Sequence, residues 1–189
     1  MAVIEGVYLG MNAKLYVEGK EFKNVKDVTL NFSRATADVT TRRNDGWRAN
    51  VGTLREATAS FQMIKFKGDT DAKTILDNFL DASGDLIGAA FLDASVDEGG
   101  EGIVGEWSVT SCNRGEALED AITYDVELSL TQSYGWAENG ALTYAGEDTD
   151  RAIQDRIDVI LPAKSASGTN TGGGTNTGGG SGSDSGLGG

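Results

Sequence analysis

Between Lys23 and Met63 the chain reads KNVKDVTLNFSRATADVTTRRNDGWRANVGTLREATASFQM, two strand-like runs parted by a long polar insert. On the near side Val28, Leu30 and Phe32 alternate with Thr29, Asn31 and Ser33, the period of a half-buried strand. Asp38 to Thr41 reads as a further short strand, and strand character resumes from Ala57 to Phe66. The insert runs from about Arg42 to Arg55 and carries Trp47; from Arg34 onward the stretch holds five arginines. Hairpins usually close in about two to five residues. An insert this long is either disordered or reaches for another surface.

The rest of the first 133 residues reads as short strands and one helix. Lys14 to Phe22 forms a hairpin turning at Glu18, Gly19 and Lys20. Asp69 to Ala82 is helical: Asp69 or Thr70 caps it, Asp71 suits the positive end of the helix dipole, and Gly84 stops it. Ile75, Leu76, Phe79 and Leu80 form one apolar stripe that should pack on a sheet. Leu86 to Ala94 and Ile103 to Cys112 are strands joined by the turn-rich Asp97 to Gly102. Asn113 to Ala121 is a polar loop or a short helical turn. Ile122 to Leu130 has the cleanest alternation in the chain, with Ile122, Tyr124, Val126, Leu128 and Leu130 on one face. The expected architecture is mainly β, a β-sandwich or barrel-like domain over residues 1–133 with one flanking helix.

Residues 134–162 read as an extension that packs on or near the domain. Trp136, Leu142 and Tyr144 could wrap over it. Ile153, Ile157, Ile160 and Leu161 fall at helical spacing, with Thr149 as a cap and Pro162 directly after. Residues 163–189 are rich in Gly, Ser, Thr and Asn, and TNTGGG occurs twice. Such a segment buries too little apolar surface to order itself and reads as a flexible tail.

Composition narrows the chemistry. The chain has no histidine, which removes Ser-His-Asp and Cys-His catalysis and the common zinc sites. The single cysteine, Cys112, sits in a strand-like run and reads as a small core residue. Gly100, Gly102 and Gly105 match G-x-G-x-x-G, but a strand follows where a dinucleotide site needs a helix. Asp93, Asp97, Glu98 and Glu101 lack the spacing of an EF-hand loop and read as a solvated acidic loop. No catalytic set, cofactor or metal site is expected, and no enzyme.

The N-terminus MAVIEGVYLG, without a basic start and with Glu5, does not read as a secretory leader. The longest strongly apolar run, Leu86 to Leu92, is far short of the about 20 residues that cross a bilayer as a helix. The net charge of −13 is uneven. Residues 1–68 hold eleven Lys and Arg against seven Asp and Glu; residues 69–127 hold two against fifteen. The basic residues spread over a sequence half, so a compact nucleic-acid footprint is not expected. The asymmetry is either solvated surface or a basic face on one copy meeting an acidic face on the next.

The segment VKDVTLNFSRATADVTTRRNDGWRANVGTLREATASFQM resembles the major tail, or tail tube, proteins of long-tailed bacteriophages, closest to the TP901-1-like family with its gene-transfer-agent tubes. The later blocks KTILDNFLDASG, LIGAAFLDAS and GEWSVTSCNRGEALEDAITYDVELSLT follow in the family's order. The turn Glu116-Ala117-Leu118-Glu119-Asp120-Ala121 has the family's acidic flavour. The likeness runs from Leu15 to Thr131; the C-terminal stretch is not required by it.

The resemblance implies a tail-tube β-sandwich that assembles into hexameric rings. The rings stack into a tube in the virion, made in the host cytoplasm, through which double-stranded DNA passes without specific binding. Tape measure, tail terminator and tail tip proteins would be its other partners, with no membrane involved. Lumen-facing candidates are Asp27, Thr29 and Asn31 on one strand and Asp125, Glu127 and Ser129 on another. An acidic lumen repels phosphate, so DNA would slide. Arg42, Arg43, Trp47 and Arg48 are the expected contacts between subunits or rings, because Trp and Arg are typical interface anchors. The same architecture also fits the inner tube of a contractile injection system or tailocin. A carbohydrate-binding β-sandwich is the alternative of another class.

Overall fold

The computed structural model describes residues 9–142 and 151–164. Expectations for Glu5, Tyr144, the Thr149 cap and residues 165–189 lie outside the described residues.

Seven strands form one antiparallel sheet: β1 (Lys14–Val17), β2 (Lys20–Glu21), β3 (Val25–Asp38), β4 (Asn50–Ile64), β5 (Ile87–Leu92), β6 (Gly102–Gly115) and β7 (Thr123–Ala137). Their order across the sheet is β2-β1-β5-β6-β7-β4-β3. Among the described residues two α-helices accompany it, α1 (Asp71–Leu80) and α2 (Arg151–Ile160). No helix among the described residues is long and apolar enough to cross a membrane.

The sheet curls on itself. In a flat sheet β4 and β5, three spacings apart, would stand about 14 Å from each other. Instead Phe61 of β4 meets Phe91 of β5 with ring centroids 6.4 Å apart, and Phe91 meets Trp107 of β6 edge-on at 5.1 Å. Residues 22–24 run from β2 straight into β3, linking the two edge strands of the sheet. The enclosed core contains Val17, Met63, Ile75, Val126 and Leu128, all nearly inaccessible. Trp107 buries its indole and donates its N–H to the Ala89 carbonyl at 3.2 Å, so no donor is stranded.

A second apolar cluster lies on the other face, where Tyr16, Ala90, Leu92, Val104 and Tyr134 meet Ile157, Ile160 and Leu161 of the α2 region. Covered on both faces, β5 is buried at all six residues, which explains its unbroken apolar sequence. Close approach of α2 depends on Gly88: a Cβ there would stand 2.6 Å from Ile160 Cδ1 and 3.0 Å from Arg156 Nη2.

Four details differ from the sequence reading. The far end of the stretch read as an insert is strand, because β4 begins at Asn50, opposite Asp38 at the end of β3, whereas residues 39–41, read as strand, are not. Strand character does not end at Ser133, because β7 continues to Ala137 beside Gly102. β6 extends through Gly115, shortening the loop before β7. The apolar stripe of α1 is only half used: Ile75 is buried and Leu76 half-buried, but Phe79 and Leu80 are exposed. At the helix start the Asp69 carboxylate accepts the Asp71 N–H at 2.9 Å, while the Thr70 side chain makes no capping bond.

Candidate functional site

Sheet order brings the polar faces of β3 and β7 together, with β4 between them. Thr29 pairs with Ser60 and Ser60 with Glu127; Asn31 pairs with Thr58 and Thr58 with Ser129. A third row runs from Gln62 to Asp125, whose Oδ1 accepts the Gln62 amide at 2.6 Å. β6 extends the rows with Ser108, Ser111 and Asn113. Side chains alternate along a strand, so Ala57, Ala59, Phe61 and Met63 of β4 and Tyr124, Val126 and Leu128 of β7 turn into the core while these polar residues face out. No Lys or Arg occurs in residues 29–31, 58–62 or 125–129, so the centre of this face carries hydroxyls, amides and two carboxylates.

Thr29, Asn31, Asp125, Glu127 and Ser129 therefore share one surface. Asp27 stands apart from it. It has φ 55° at a register shift between Lys26 and Thr29, and lines a cleft of about 940 Å³ with Val28, Met11 and Trp136. The sequence reading missed Thr58, Ser60 and Gln62, although their alternation with Ala57, Ala59, Phe61 and Met63 was visible.

The hairpin of β3 and β4 is the second feature. Near the body its β4 strand buries alternate residues; beyond Ala57 the pattern stops. Residues 33–38 are all exposed, as are residues 50–56 apart from Gly52. Phe32, Val51 and Leu54 leave more than half their surface open. A strand pair with no buried face has no packing of its own to hold it, so this arm is suited to lie against something else.

The arm's tip is locally ordered. Thr41 and Asn44 form a capping box around a single 3-10 turn at Arg42–Asn44. The Thr41 N–H donates to Asn44 Oδ1 at 2.9 Å, and the Trp47 N–H to the Asn44 carbonyl at 2.8 Å. Asp45 and Gly46 take left-handed conformations, φ 45° and 83°, that reverse the chain. Across the neck, the Val39 N–H donates to the Ala49 carbonyl at 2.8 Å. Arg48 lies 3.5 Å from Asp38, and the Thr40 side chain and N–H hold the Asp38 carboxyl below its ordinary range. Arg42, Arg43, Trp47 and Arg48 are thus gathered at one tip. Trp47 is 80% exposed, and among the described residues neither Arg42 nor Arg43 has an ion-pair partner.

The residues set aside in the sequence sit in ordinary surroundings. The Asp93 carboxylate accepts the Glu101 N–H at 2.7 Å, and Glu98 accepts the Ser95 hydroxyl at 2.9 Å. Gly102 and Gly105 lie within β6, with no helix following. Cys112 is paired with Val126 on the core side, and burial pushes its thiol up, away from a reactive thiolate.

No protein-family model and no curated protein matches the sequence. Among solved structures, a chain of the virion of a native gene transfer agent particle is similar at 17% identity and TM-score 0.56, covering 69% of this chain and 98% of that one. A chain of the PVC extracellular contractile injection system, in its sheath-tube complex, gives 11% identity and TM-score 0.55 over 71% and 94%. The SPP1 tail tube gives 14% identity and TM-score 0.51 over 74% and 83%. At such identities the likeness is one of fold: this chain has the curled β-sheet of the tail-tube fold.

Proposed function

We propose that this chain is a structural subunit of a phage-type tail tube, located in the virion tail, and that it acts by assembly rather than catalysis. The observation that carries the reading is the β3–β4 arm, a strand pair exposed on both faces with an aromatic and cationic tip at Trp47, Arg42 and Arg43. Alone it is a poorly supported extension; against a neighbouring copy it becomes an interface. β3 is also an open sheet edge along its whole length, and open edges call for pairing or cover. Closing a ring of copies covers them.

In this reading the rings are hexameric and stacked, and the polar face centred on Thr29, Asn31, Asp125, Glu127 and Ser129 lines the lumen. Its carboxylates repel passing double-stranded DNA, and it lacks the cations that would hold phosphate. The sheet through Ala137 forms the tube body, and α2 is an extension packed on its other face. Tape measure, terminator and tip proteins are the remaining partners, and the TP901-1-like group is the proposed affiliation. A second reading, the inner tube of a contractile injection system, is supported by fold likeness to a chain of such a system's sheath-tube complex.

Negative-stain electron microscopy of the purified full chain tests the assembly. Rings or tubes with sixfold symmetry are expected at high concentration. A chain that stays monomeric at all concentrations overturns the proposal.

A further inference from the structure

The two ends of the molecule carry opposite chemistry. Asn24, just before β3, donates its side-chain amide to Asp69, and Lys20 pairs with Asp71 in the first turn of α1. α1 therefore starts at the foot of the arm. From that foot β3 carries the chain through 14 residues, about 46 Å, towards the tip. The 10 residues of α1 span only about 15 Å. The tip of a chain is out of reach of its own α1, so any contact between the two joins different copies.

The last turn of α1 is an unusual surface. Phe79 and Leu80 are 42% and 68% exposed. Asp77 and Asp81 flank them, Asp85 follows, and the turn holds no basic residue. A helix C-terminus already bears partial negative charge, which cations stabilise and carboxylates aggravate. Lys73 answers Asp77 one turn back, but the Asp81 carboxylate has only backbone and side-chain hydrogen bonds from Ser83, which hold its carboxyl low and ionised. An exposed apolar pair beside an uncompensated negative helix end is complementary to a Trp flanked by unpaired arginines.

On the tube-subunit reading, we infer that the tip of one copy docks on the last turn of α1 in a second copy. Trp47 lies against Phe79 and Leu80, and Arg42 and Arg43 face Asp81 and Asp85. The contact is head-to-tail, so each copy keeps a free tip at one end and a free α1 at the other, and the pairing runs on as an open stack wherever its rotation does not close a ring.

Charge exchange tests the pairing, with assembly read by sedimentation and electron microscopy. The R42D/R43D chain and the D81R/D85R chain should each lose assembly while circular dichroism and thermal unfolding stay those of the parent. Joining the four substitutions in one chain should restore it. A D81R/D85R chain that assembles like the parent overturns the assignment. A second measurement avoids dependence on the recovered variant. In a Cys112→Ser background, chains with Trp47→Cys are mixed with chains carrying Leu80→Cys and oxidised. Disulfide-linked pairs are expected; linkage to Leu118→Cys chains but not to Leu80→Cys chains overturns the assignment in favour of the β6–β7 loop. Parent chains that form no rings or tubes fail the tube reading, whereas parent tubes that survive D81R/D85R fail only the α1 contact.

Discussion

Arg156 grips Glu18 across 138 residues of sequence, donating from Nη1 and Nη2 to its two carboxylate oxygens at 2.6 Å each. Its Nε donates to Glu106 at 2.5 Å, and the Tyr134 hydroxyl donates to the same Glu106 oxygen at 3.0 Å. Glu18 also accepts the Gly88 N–H at 2.7 Å. One guanidinium thus ties α2 to the β1–β2 turn and to the middle of the sheet. The planar guanidinium pairs both Glu18 oxygens from two nitrogens while a third reaches Glu106, a spread of donors that the single nitrogen of an ammonium lacks.

Arg156→Ala should destabilise the fold by about 2 kcal/mol, since it leaves Glu106, only 6% exposed, without its cation. The Arg156 side chain is itself 31% exposed, which keeps the figure below that of a fully buried pair. Arg156→Lys should recover only part of the loss. Urea unfolding followed by Trp fluorescence measures both, and an Arg156→Ala midpoint equal to the parent's would show that α2 contributes nothing to the cooperative unit.

The same cluster sets an alkaline limit. Burial first, and then its bond to Glu106, push the Tyr134 hydroxyl up to about 12. A phenol whose folded value lies above its unfolded value of about 10 gives stability that is complete below pH 10 and is lost as pH rises from 10 through 12. The parent's urea midpoint should therefore fall over that window more steeply than that of Tyr134→Phe, which has no proton to lose there. Tyr16, also raised by burial, contributes to both chains equally and cancels in the comparison. Parallel pH profiles would refute the assignment.

Phe91 closes the curl of the sheet, touching Phe61 on one side and Trp107 on the other. Phe91→Ala should cost about 3–4 kcal/mol, more than its transfer energy, because rings on two sides lose a partner and the cavity cannot collapse. Thermal unfolding checks it. A loss under about 1 kcal/mol would mean that β4 and β5 are not held face to face by these rings.

Much of this was legible in the residues. Tyr124, Val126 and Leu128 announce the buried face of β7, and the run at β5 announces a strand covered on both sides. The arm was not legible as strand because residues 33–38 and 50–56 bury neither face, so no period of two separates apolar from polar positions. The polar surface was half legible. Thr29, Asn31, Asp125 and Glu127 could be picked strand by strand, but their sharing one face depends on β4 lying between β3 and β7, a non-local pairing that no local pattern encodes. Phe79 and Leu80 misled in the opposite sense: the stripe on α1 is wider than the patch of sheet it meets, so Ile75 is covered and the last turn is left open.

The proposed lumen can be tested by reversing its charge. Asp125 and Glu127 are exposed on the polar face, and only Asp125 has a side-chain partner there, Gln62. Substituting both with Lys should leave the fold near the parent's stability, within about 0.5 kcal/mol, as surface changes usually do. In an assembled tube each copy would then add two cations to the lumen where it had two carboxylates. Double-stranded DNA, which should not bind parent tubes, would bind the variant through release of condensed counterions, and that binding should weaken steeply between about 50 and 200 mM salt. Filter retention of labelled linear DNA on purified tubes measures it. Retained DNA should resist nuclease inside the lumen; retained DNA that is fully digested would place Asp125 and Glu127 on the outer wall, and with them the whole Thr29–Ser60–Glu127 row.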